Sequence, residues 1–308
     1  MLKRFVANDF TFRLSVVDLT PTLMPIRHTR SWSPLATEAI GKMMTGAILM
    51  ASHLKPGQGV GLLIRGEGAL KKIYAEAYHT GEVRAYCSEP QLSGFPTVEE
   101  AIGGGLLSVT RHQPFQKSPF HGNVPLVGST LDEYLEHYLL QSQQIRSIMT
   151  LSTLWEQEVP FPADIPSSPM NQEKTQPKWI GGYLLEIMPG VEDHVYQELK
   201  KHHQVQNSQI RVMLPTLFSK DPSIWASTFF NDHAITEIDY PYSIRYECPC
   251  SLERVLRSLT LFEEEDIEAM IQEGSQEIVT CQMCGEIYHI SQEHLETVKS
   301  WLKKTKAN

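Results

Sequence analysis

Four of the five cysteines in this 308-residue chain fall between positions 248 and 284. They form two close pairs, Cys248-x-Cys250 and Cys281-x-x-Cys284. A low and odd number of cysteines argues against a secreted scaffold built on disulfides. Four clustered thiols in a reducing compartment instead predict metal or redox chemistry, and that chemistry limits what the C-terminal part can fold into.

The spacing of the two pairs suits a tetrahedral zinc site. The Cys-x-Cys and Cys-x-x-Cys turns each bring two sulfurs to one ion. The thirty residues between Cys250 and Cys281 are enough for a helical segment that returns the second pair to the first. We therefore expect one Zn²⁺ per chain, held by all four cysteines. Two alternatives stay open, namely two inert pairs of buried thiols and ligation by His289 or His294.

Hydrophobic periodicity, together with the positions of glycine and proline, predicts an α+β protein of three parts. The first part, residues 1–190, is a mixed α/β core domain with β-sheets and flanking helices. A helical linker follows over residues 191–239, and residues 240–308 form a small C-terminal zinc-binding domain. Within the core domain, residues 156–178 form a proline-rich loop, because prolines at that density exclude a regular element.

Local signals predict the individual elements. Apolar runs bounded by turns predict core strands at residues 10–18, 61–65, 70–77, 82–87 and 182–188. Capping residues predict helices that begin at Ser33-Pro34 and at Thr130 with Glu133. In the last part we expect helices after Ser251, over 263–272 and after Ser291, with a hairpin formed by 277–280 and 287–290.

The linker carries more large apolar side chains than so short a segment can bury by itself. These residues, here called the linker apolar set, are Leu214, Leu217, Phe218, Trp225, Phe229 and Phe230. We expect the set to pack against the core domain in the resting protein.

The charge of the chain argues against nucleic-acid partners. Lys and Arg number 27 and Asp and Glu number 36, which gives a net charge of −9, whereas nucleic-acid binding needs many cationic contacts. Residues 241–308 contain 12 acidic and 7 basic side chains, which disfavours a zinc ribbon that binds phosphate. No apolar run reaches the ~18 residues of a membrane span, and no signal-peptide core follows Met1, so we expect a cytoplasmic protein.

Zinc matters to the last part because so small a part is marginally stable without a disulfide or a metal. Structural zinc contributes about 10–16 kcal/mol of binding free energy, and this energy is also folding energy. Zinc-bound thiolates remain oxidisable, and an oxidised thiol can condense with its neighbour. Oxidation would therefore expel the metal and unfold the domain, which makes the site a candidate switch.

The cysteine motifs and their surroundings resemble the redox-regulated heat-shock holdase family, the thirty-three-kilodalton heat-shock proteins of bacteria. The segments that carry the resemblance are residues 66–68, 181–190, 246–255 and 279–288. The resemblance covers most of the chain. The stretch from Pro160 to Pro177 departs from the family pattern as an insertion.

The resemblance implies a chaperone, not an enzyme, that binds unfolding client proteins without ATP and is inactive while reduced and zinc-bound. It implies that peroxide under unfolding conditions, or hypochlorous acid, forms the disulfides Cys248–Cys250 and Cys281–Cys284 and releases zinc. The zinc domain and linker then lose structure, the linker apolar set binds clients, and the chain forms a homodimer.

Two rival functions share the same cysteines. A thiol–disulfide oxidoreductase would use Cys281-x-x-Cys284 catalytically, turn over dithiols and survive loss of the first pair. A constitutive structural zinc site would merely be damaged by oxidation.

Overall fold

The computed structural model describes residues 1–114, 120–156, 176–218, 221–229, 233–274 and 277–306. Contacts between Cα atoms divide the chain into two compact units, Met1–Tyr246 and Glu247–Asn308. The larger unit contains two sheets and the smaller unit contains the four clustered cysteines. No helix among the described residues is long and apolar enough to cross a membrane.

The described residues give the α+β fold predicted from the sequence. The strands are β1 (Leu2–Ala7), β2 (Phe12–Asp18), β3 (Gly59–Gly66), β4 (Lys72–Tyr78), β5 (Glu82–Cys87), β6 (Gly105–His112), β7 (Phe120–Pro125), β8 (Ser147–Trp155), β9 (Pro177–Ile187), β10 (Ile235–Ile238), β11 (Arg245–Tyr246), β12 (Glu277–Thr280) and β13 (Ile287–Ile290). The helices are α1 (Thr20–Arg30), α2 (Pro34–Ala51), α3 (Val98–Ile102), α4 (Leu131–Gln143), α5 (Asp193–Leu217), α6 (Pro222–Phe229), α7 (Leu252–Leu259), α8 (Glu264–Glu273) and α9 (Gln292–Lys306).

The two sheets of the larger unit share one central helix. Sheet one has the strand order β10-β1-β2-β9-β8 and sheet two the order β11-β5-β4-β3-β6-β7. All neighbouring strands are antiparallel except β11 and β5. Helix α2 packs against strands of both sheets, so it lies in the main core of this unit.

Helix α2 begins and packs as its sequence dictates. The Ser33 hydroxyl accepts a hydrogen bond from the backbone N–H of Ala36 at 3.1 Å, and Pro34 occupies the first helical position. Most of its residues are buried, because a helix that is apolar on all sides needs packing partners on all sides. A Cβ at Gly46 would lie 2.5 Å from Leu135 Cδ1, so glycine permits the close approach of α4.

A second core covers the other face of sheet one. In β2, Phe12, Leu14 and Val16 point to this second core, whereas Val17 points to the main core, as the two-residue repeat of a strand requires. Helices α5 and α6 contribute the facing residues, including the fully buried Trp225. Sheet one is therefore buried on both faces.

The predicted helical linker ends in a strand. Residues 193–217 and 222–229 are helical, as expected, but Ile235–Ile238 form β10 and pair with the edge of β1. The expectation of helix was wrong there, because β-branched residues favour the pairing that the free edge of β1 offers. The division of the chain into client-binding, linker and sensor parts stays a prediction.

The smaller unit has a modest core of its own. Its helices and hairpin match the predicted positions, and the Ser251 hydroxyl caps α7 by accepting from the N–H of Arg254 at 3.2 Å. Among the described residues of this unit, eight half-buried apolar side chains surround a buried centre of six, namely Leu256, Leu259, Ile267, Ile290, Leu295 and Val298. A core of this size supplies limited stability without a disulfide or a metal.

Some sequence predictions lie outside the described residues. They include residues 157–175, most of the proline-rich loop, and Phe230 of the linker apolar set. The side chain of Phe229 is likewise not described.

Candidate metal centre

The two cysteine pairs lie on different local structures of the smaller unit. Cys248 and Cys250 occupy the extended segment just before α7. Cys281 and Cys284 occupy the turn of the β12–β13 hairpin. That turn closes through N–H groups of Cys281 and Gly285, each of which donates to a backbone carbonyl at 2.8 Å. Gly285 has a φ of 84°, a conformation that favours glycine.

The four sulfur atoms converge on one point. All of them lie within 4.8 Å of one another. The Sγ atoms of Cys248 and Cys281 are 3.7 Å apart, and those of Cys250 and Cys284 are 3.3 Å apart. A tetrahedron with metal–sulfur bonds of about 2.3 Å has edges of about 3.8 Å. The four cysteines are therefore placed to hold a metal ion.

Hydrogen-bond donors surround the sulfurs. Burial raises the pKa of Cys281, but the backbone N–H groups of Cys284 and Met283 donate to its sulfur and lower the pKa to about 7. The Tyr288 hydroxyl donates to Cys250 Sγ at 3.0 Å. Burial and the adjoining sulfur of Cys250 raise the pKa of Cys284. Four thiols this close cannot all ionise unless a cation compensates their charge.

Neither nearby histidine belongs to the cluster. His289 is exposed on β13 opposite Ile278. The Nδ1 atom of His294 accepts a hydrogen bond from the N–H of Ser291 at 3.2 Å and so helps to begin α9. Among the described residues, only the four cysteines form a group able to hold a metal ion.

The fifth cysteine is a packing residue. Cys87 is buried at the end of β5 in the main core. Burial raises the pKa of its thiol to about 11, so it remains protonated at neutral pH. A protonated, buried thiol is inert.

The described side chains of the linker apolar set are buried or half-buried. Leu214, Leu217 and Trp225 are fully buried in the second core, and Phe218 is half-buried beside them. The Trp225 ring lies 5.6 Å from that of Phe5 and 5.9 Å from that of Phe218. This agrees with the expected packing on the core domain in the resting protein.

A polar stripe on α5 was not predicted from the sequence. Its side chains recur every three or four residues and line a cavity of about 440 Å³ between α4, α5 and β8. The stripe consists of Tyr196, Lys200, His203, Asn207 and Arg211. Its helical spacing was visible in the sequence, but only the fold shows which groups it contacts.

Two residues of the polar stripe make hydrogen bonds to buried groups of the larger unit. A guanidinium N–H of Arg211 donates to Asp132 Oδ2 at 2.6 Å, and another donates to the carbonyl of Leu151 at 2.5 Å. The Nδ1 atom of His203 lies 2.7 Å from the hydroxyl of the fully buried Tyr183. Helix α5 is therefore held by charge and hydrogen bonds on one side and by apolar packing on another.

The sequence of the whole chain is similar to proteins of one known family. A family model described as "Hsp33 protein" matches residues 1–291. The chain belongs to the Hsp33 family. A relative, the 33 kDa chaperonin of Desulforamulus reducens, is 28% identical over 303 residues that cover 96% of each chain. The 33 kDa chaperonin of Geobacter sp. strain M21 is 29% identical, with 98% of each chain covered.

A solved structure of the Hsp33 family has the same fold. The crystal structure of the 33 kDa chaperonin (heat shock protein 33 homolog) of Thermotoga maritima superposes with a TM-score of 0.77 at 23% identity. The match covers 98% of this chain and 99% of that one. The resemblance predicted from the cysteine motifs is confirmed. These Hsp33 relatives are named as chaperonins, which fits a protein that is not an enzyme.

Proposed function

We propose that this chain is a redox-regulated, ATP-independent holdase that prevents aggregation of unfolding proteins under oxidative stress. Oxidation of a four-cysteine zinc centre activates it. The observation that carries the proposal is the convergence of four sulfurs in a chain of the Hsp33 family. A cytoplasmic location fits, because the thiols must be kept reduced at rest.

Zinc is the metal that this donor set favours. Four thiolates without an open position are typical of structural zinc, whereas Ca²⁺ and Mg²⁺ prefer oxygen ligands. When bound, zinc would keep the four sulfurs together as thiolates and add its binding energy to the folding of the smaller unit. Cys248, Cys250, Cys281 and Cys284 would be its ligands, and the N–H groups and Tyr288 around them would support the negative charge on sulfur.

The oxidation step consumes the ligands themselves. In each pair, two thiolates give two electrons to one molecule of hydrogen peroxide, whose oxygen atoms take up two protons from the solvent. The products are one disulfide and two water molecules. The pairs are Cys248–Cys250 and Cys281–Cys284, as the family resemblance implies. Four thiolates are lost in this way, so metal release accompanies oxidation and two peroxide molecules are consumed per chain.

Loss of the metal would then destabilise the fold of the smaller unit. The small core of this unit, with six buried side chains among its described residues, would not persist without the metal. We propose that unfolding continues into the linker and exposes the linker apolar set, including Leu214, Leu217 and Trp225. Unfolding clients would bind there, and the oxidised chain would form a homodimer.

The experiment that tests the function removes single thiols. We expect Cys284→Ser to lose the metal and to lose oxidation-dependent suppression of client aggregation. Cys87→Ser, which removes the thiol outside the cluster, should keep both. Metal content by elemental analysis and light scattering of a denaturing client, without ATP, are the two readouts.

Two outcomes would contradict the proposal. If Cys284→Ser still suppressed aggregation only after oxidation, the cluster would not be the switch. If the wild type reduced disulfides catalytically with a dithiol, and the double variant Cys248→Ser/Cys250→Ser kept that turnover, the oxidoreductase function would be the better account.

A further inference from the structure

A second cavity in the larger unit has an unusual polar lining. It has a volume of about 180 Å³ and is separate from the cysteine cluster. Strands β2, β6 and β9, the end of α4 and the segment after α2 all contribute to it. Its polar side chains are Arg13, His53, Arg111, Gln143 and Glu186, and apolar side chains form the rest of the wall.

One side of the cavity is electrically balanced. The Nε atom of Arg13 donates to Glu186 Oε2 at 2.5 Å, so this cation and this anion compensate each other. His53 Nε2 lies 3.4 Å from the same carboxylate and 2.7 Å from Ser15 Oγ. Burial, together with the nearby guanidinium groups, lowers the pKa of His53 well below its ordinary value, so the ring is neutral at pH 7.

Within the described ranges, the other side has a cation without an acidic partner and a buried amide donor without an acceptor. Arg111 donates to Gln143 Oε1, and it has no acidic partner in the part of the chain that the structure describes. The Nε2 group of Gln143 is buried and has no hydrogen-bond partner among the described residues. The amide cannot simply be reversed, because its oxygen must face Arg111. A buried donor without a partner is costly, and so is a partly buried cation without a counter-charge.

We propose that this cavity is a binding site for a small anion, either a carboxylate or a tetrahedral oxyanion. The lining carries one excess positive charge, so a monoanion neutralises it. The Arg111 guanidinium supplies a fork of N–H donors that matches both anion types, and Gln143 Nε2 supplies one more. The volume is below the roughly 300 Å³ of a typical ligand pocket, which limits the ligand to a few heavy atoms.

The test uses the reduced, metal-loaded full chain and two probes, acetate and inorganic phosphate. Each replaces chloride at constant pH and ionic strength. Calorimetric titration measures binding, and the unfolding midpoint reports stabilisation by a ligand that binds only the folded state. We expect at least one probe to bind and to raise the midpoint with its concentration.

Variants locate the binding to this cavity. Arg111→Gln should weaken it about tenfold or more, since hydrogen bonds to a charged group are lost. Gln143→Leu should weaken anion binding as well. If Arg111→Gln does not fold, Gln143→Leu alone tests whether the anion binds in this cavity. Arg65→Gln is the matched control, because Arg65 also lies on sheet two but is exposed and donates to Ser108 Oγ at 3.1 Å.

Binding of acetate alone would identify a carboxylate ligand, and binding of phosphate alone a tetrahedral oxyanion. If neither probe binds more strongly than chloride, or if Arg111→Gln and Gln143→Leu bind as the wild type does, the proposal is wrong. These readouts do not depend on chaperone activity, so they stand apart from the proposed function.

Discussion

At the scale of single residues, the sulfurs of the cluster are positioned by local turns. Gly285 turns the chain at the end of the second pair, and N–H groups of Met283 and Cys284 point at Cys281 Sγ. Local turns of this kind are encoded by neighbouring residues, so the convergence of the four cysteines could be predicted from spacing alone. Tyr288 could not, because its contact with Cys250 joins two segments 38 positions apart.

The Tyr288 hydroxyl should restrain oxidation of Cys250. Its hydrogen bond withdraws electron density from the sulfur, which lowers the nucleophilicity of the thiolate. We expect Tyr288→Phe to keep the metal but to release it several-fold faster on addition of peroxide. A metal-chelating dye in a stopped-flow instrument measures the rate. An unchanged rate would show that the hydroxyl does not govern the reactivity of this sulfur.

A buried carboxyl in the cavity beneath α5 should make stability depend on pH. Burial raises the pKa of Glu136 from its ordinary value of 4.5 to about 7. The folded state then holds a proton that the unfolded chain releases, so this contribution is full below pH 4.5 and is lost as the pH rises through 7.

Comparison of the wild type with Glu136→Gln isolates this effect. We expect the wild type to lose about 3 kcal/mol relative to the variant between pH 4.5 and pH 8. Urea unfolding of the reduced protein at several pH values measures it. The exposed substitution Glu198→Gln on α5 serves as control and should follow the wild type. Parallel curves for wild type and Glu136→Gln would contradict the assignment.

At the scale of elements, α5 has two inner faces of opposite character. Leu199, Ile210 and Leu214 pack in the second core, while Arg211 and His203 contact α4 and sheet one through polar groups. Periodicity predicted a helix here, since apolar residues recur at helical spacing. It did not predict the polar stripe, because polar residues on a helix are usually exposed to solvent, and only the fold brings Asp132 to Arg211.

Removal of Arg211 should loosen α5 before the rest of the unit. Arg211→Met leaves the buried carboxylate of Asp132 without its partner, at a cost of about 3 kcal/mol. We expect hydrogen exchange of α5 amides to accelerate about a hundredfold while α2 amides stay protected. Arg65→Met, which removes an exposed arginine from sheet two, should change neither helix. Equal acceleration in α2 and α5 would mean general destabilisation instead.

Strand β10 could not be predicted from the sequence. Its residues carry a strand-like alternation, but a run of four is too short to distinguish from a loop without knowing that β1 has a free edge. The capped helices α2, α4 and α7 were predictable, because their start signals are local. Pairings between distant strands follow from topology, which a single sequence does not reveal.

At the scale of the whole molecule, the chain divides into two units whose hydrophobic cores differ in size. Met1–Tyr246 contains two sheets and two cores, while Glu247–Asn308 has one core of six side chains. This difference follows from length, because a unit of about 60 residues buries a smaller share of its surface than a unit of about 250 residues. The smaller unit should therefore depend on its metal.

Removal of the metal should unfold the smaller unit while sheet two stays folded. We expect a chelator, added under reducing conditions, to abolish the dispersed amide signals of residues 247–306 in NMR spectra. The signals of sheet two should persist, because its core lies within the larger unit. Added zinc should restore the lost signals. If residues 247–306 kept their signals without metal, their fold would not rest on the cluster.

The measurement that tests the central claim most directly follows three quantities in the same samples during stepwise addition of hypochlorite or warm peroxide. They are free thiols, released zinc and light scattering by a denaturing client. The account predicts that thiols disappear, zinc leaves and aggregation is suppressed in step, and that a dithiol with zinc reverses all three. If zinc leaves with the thiols while client aggregation is unaffected, the cluster is only structural and the proposed chaperone switch is wrong.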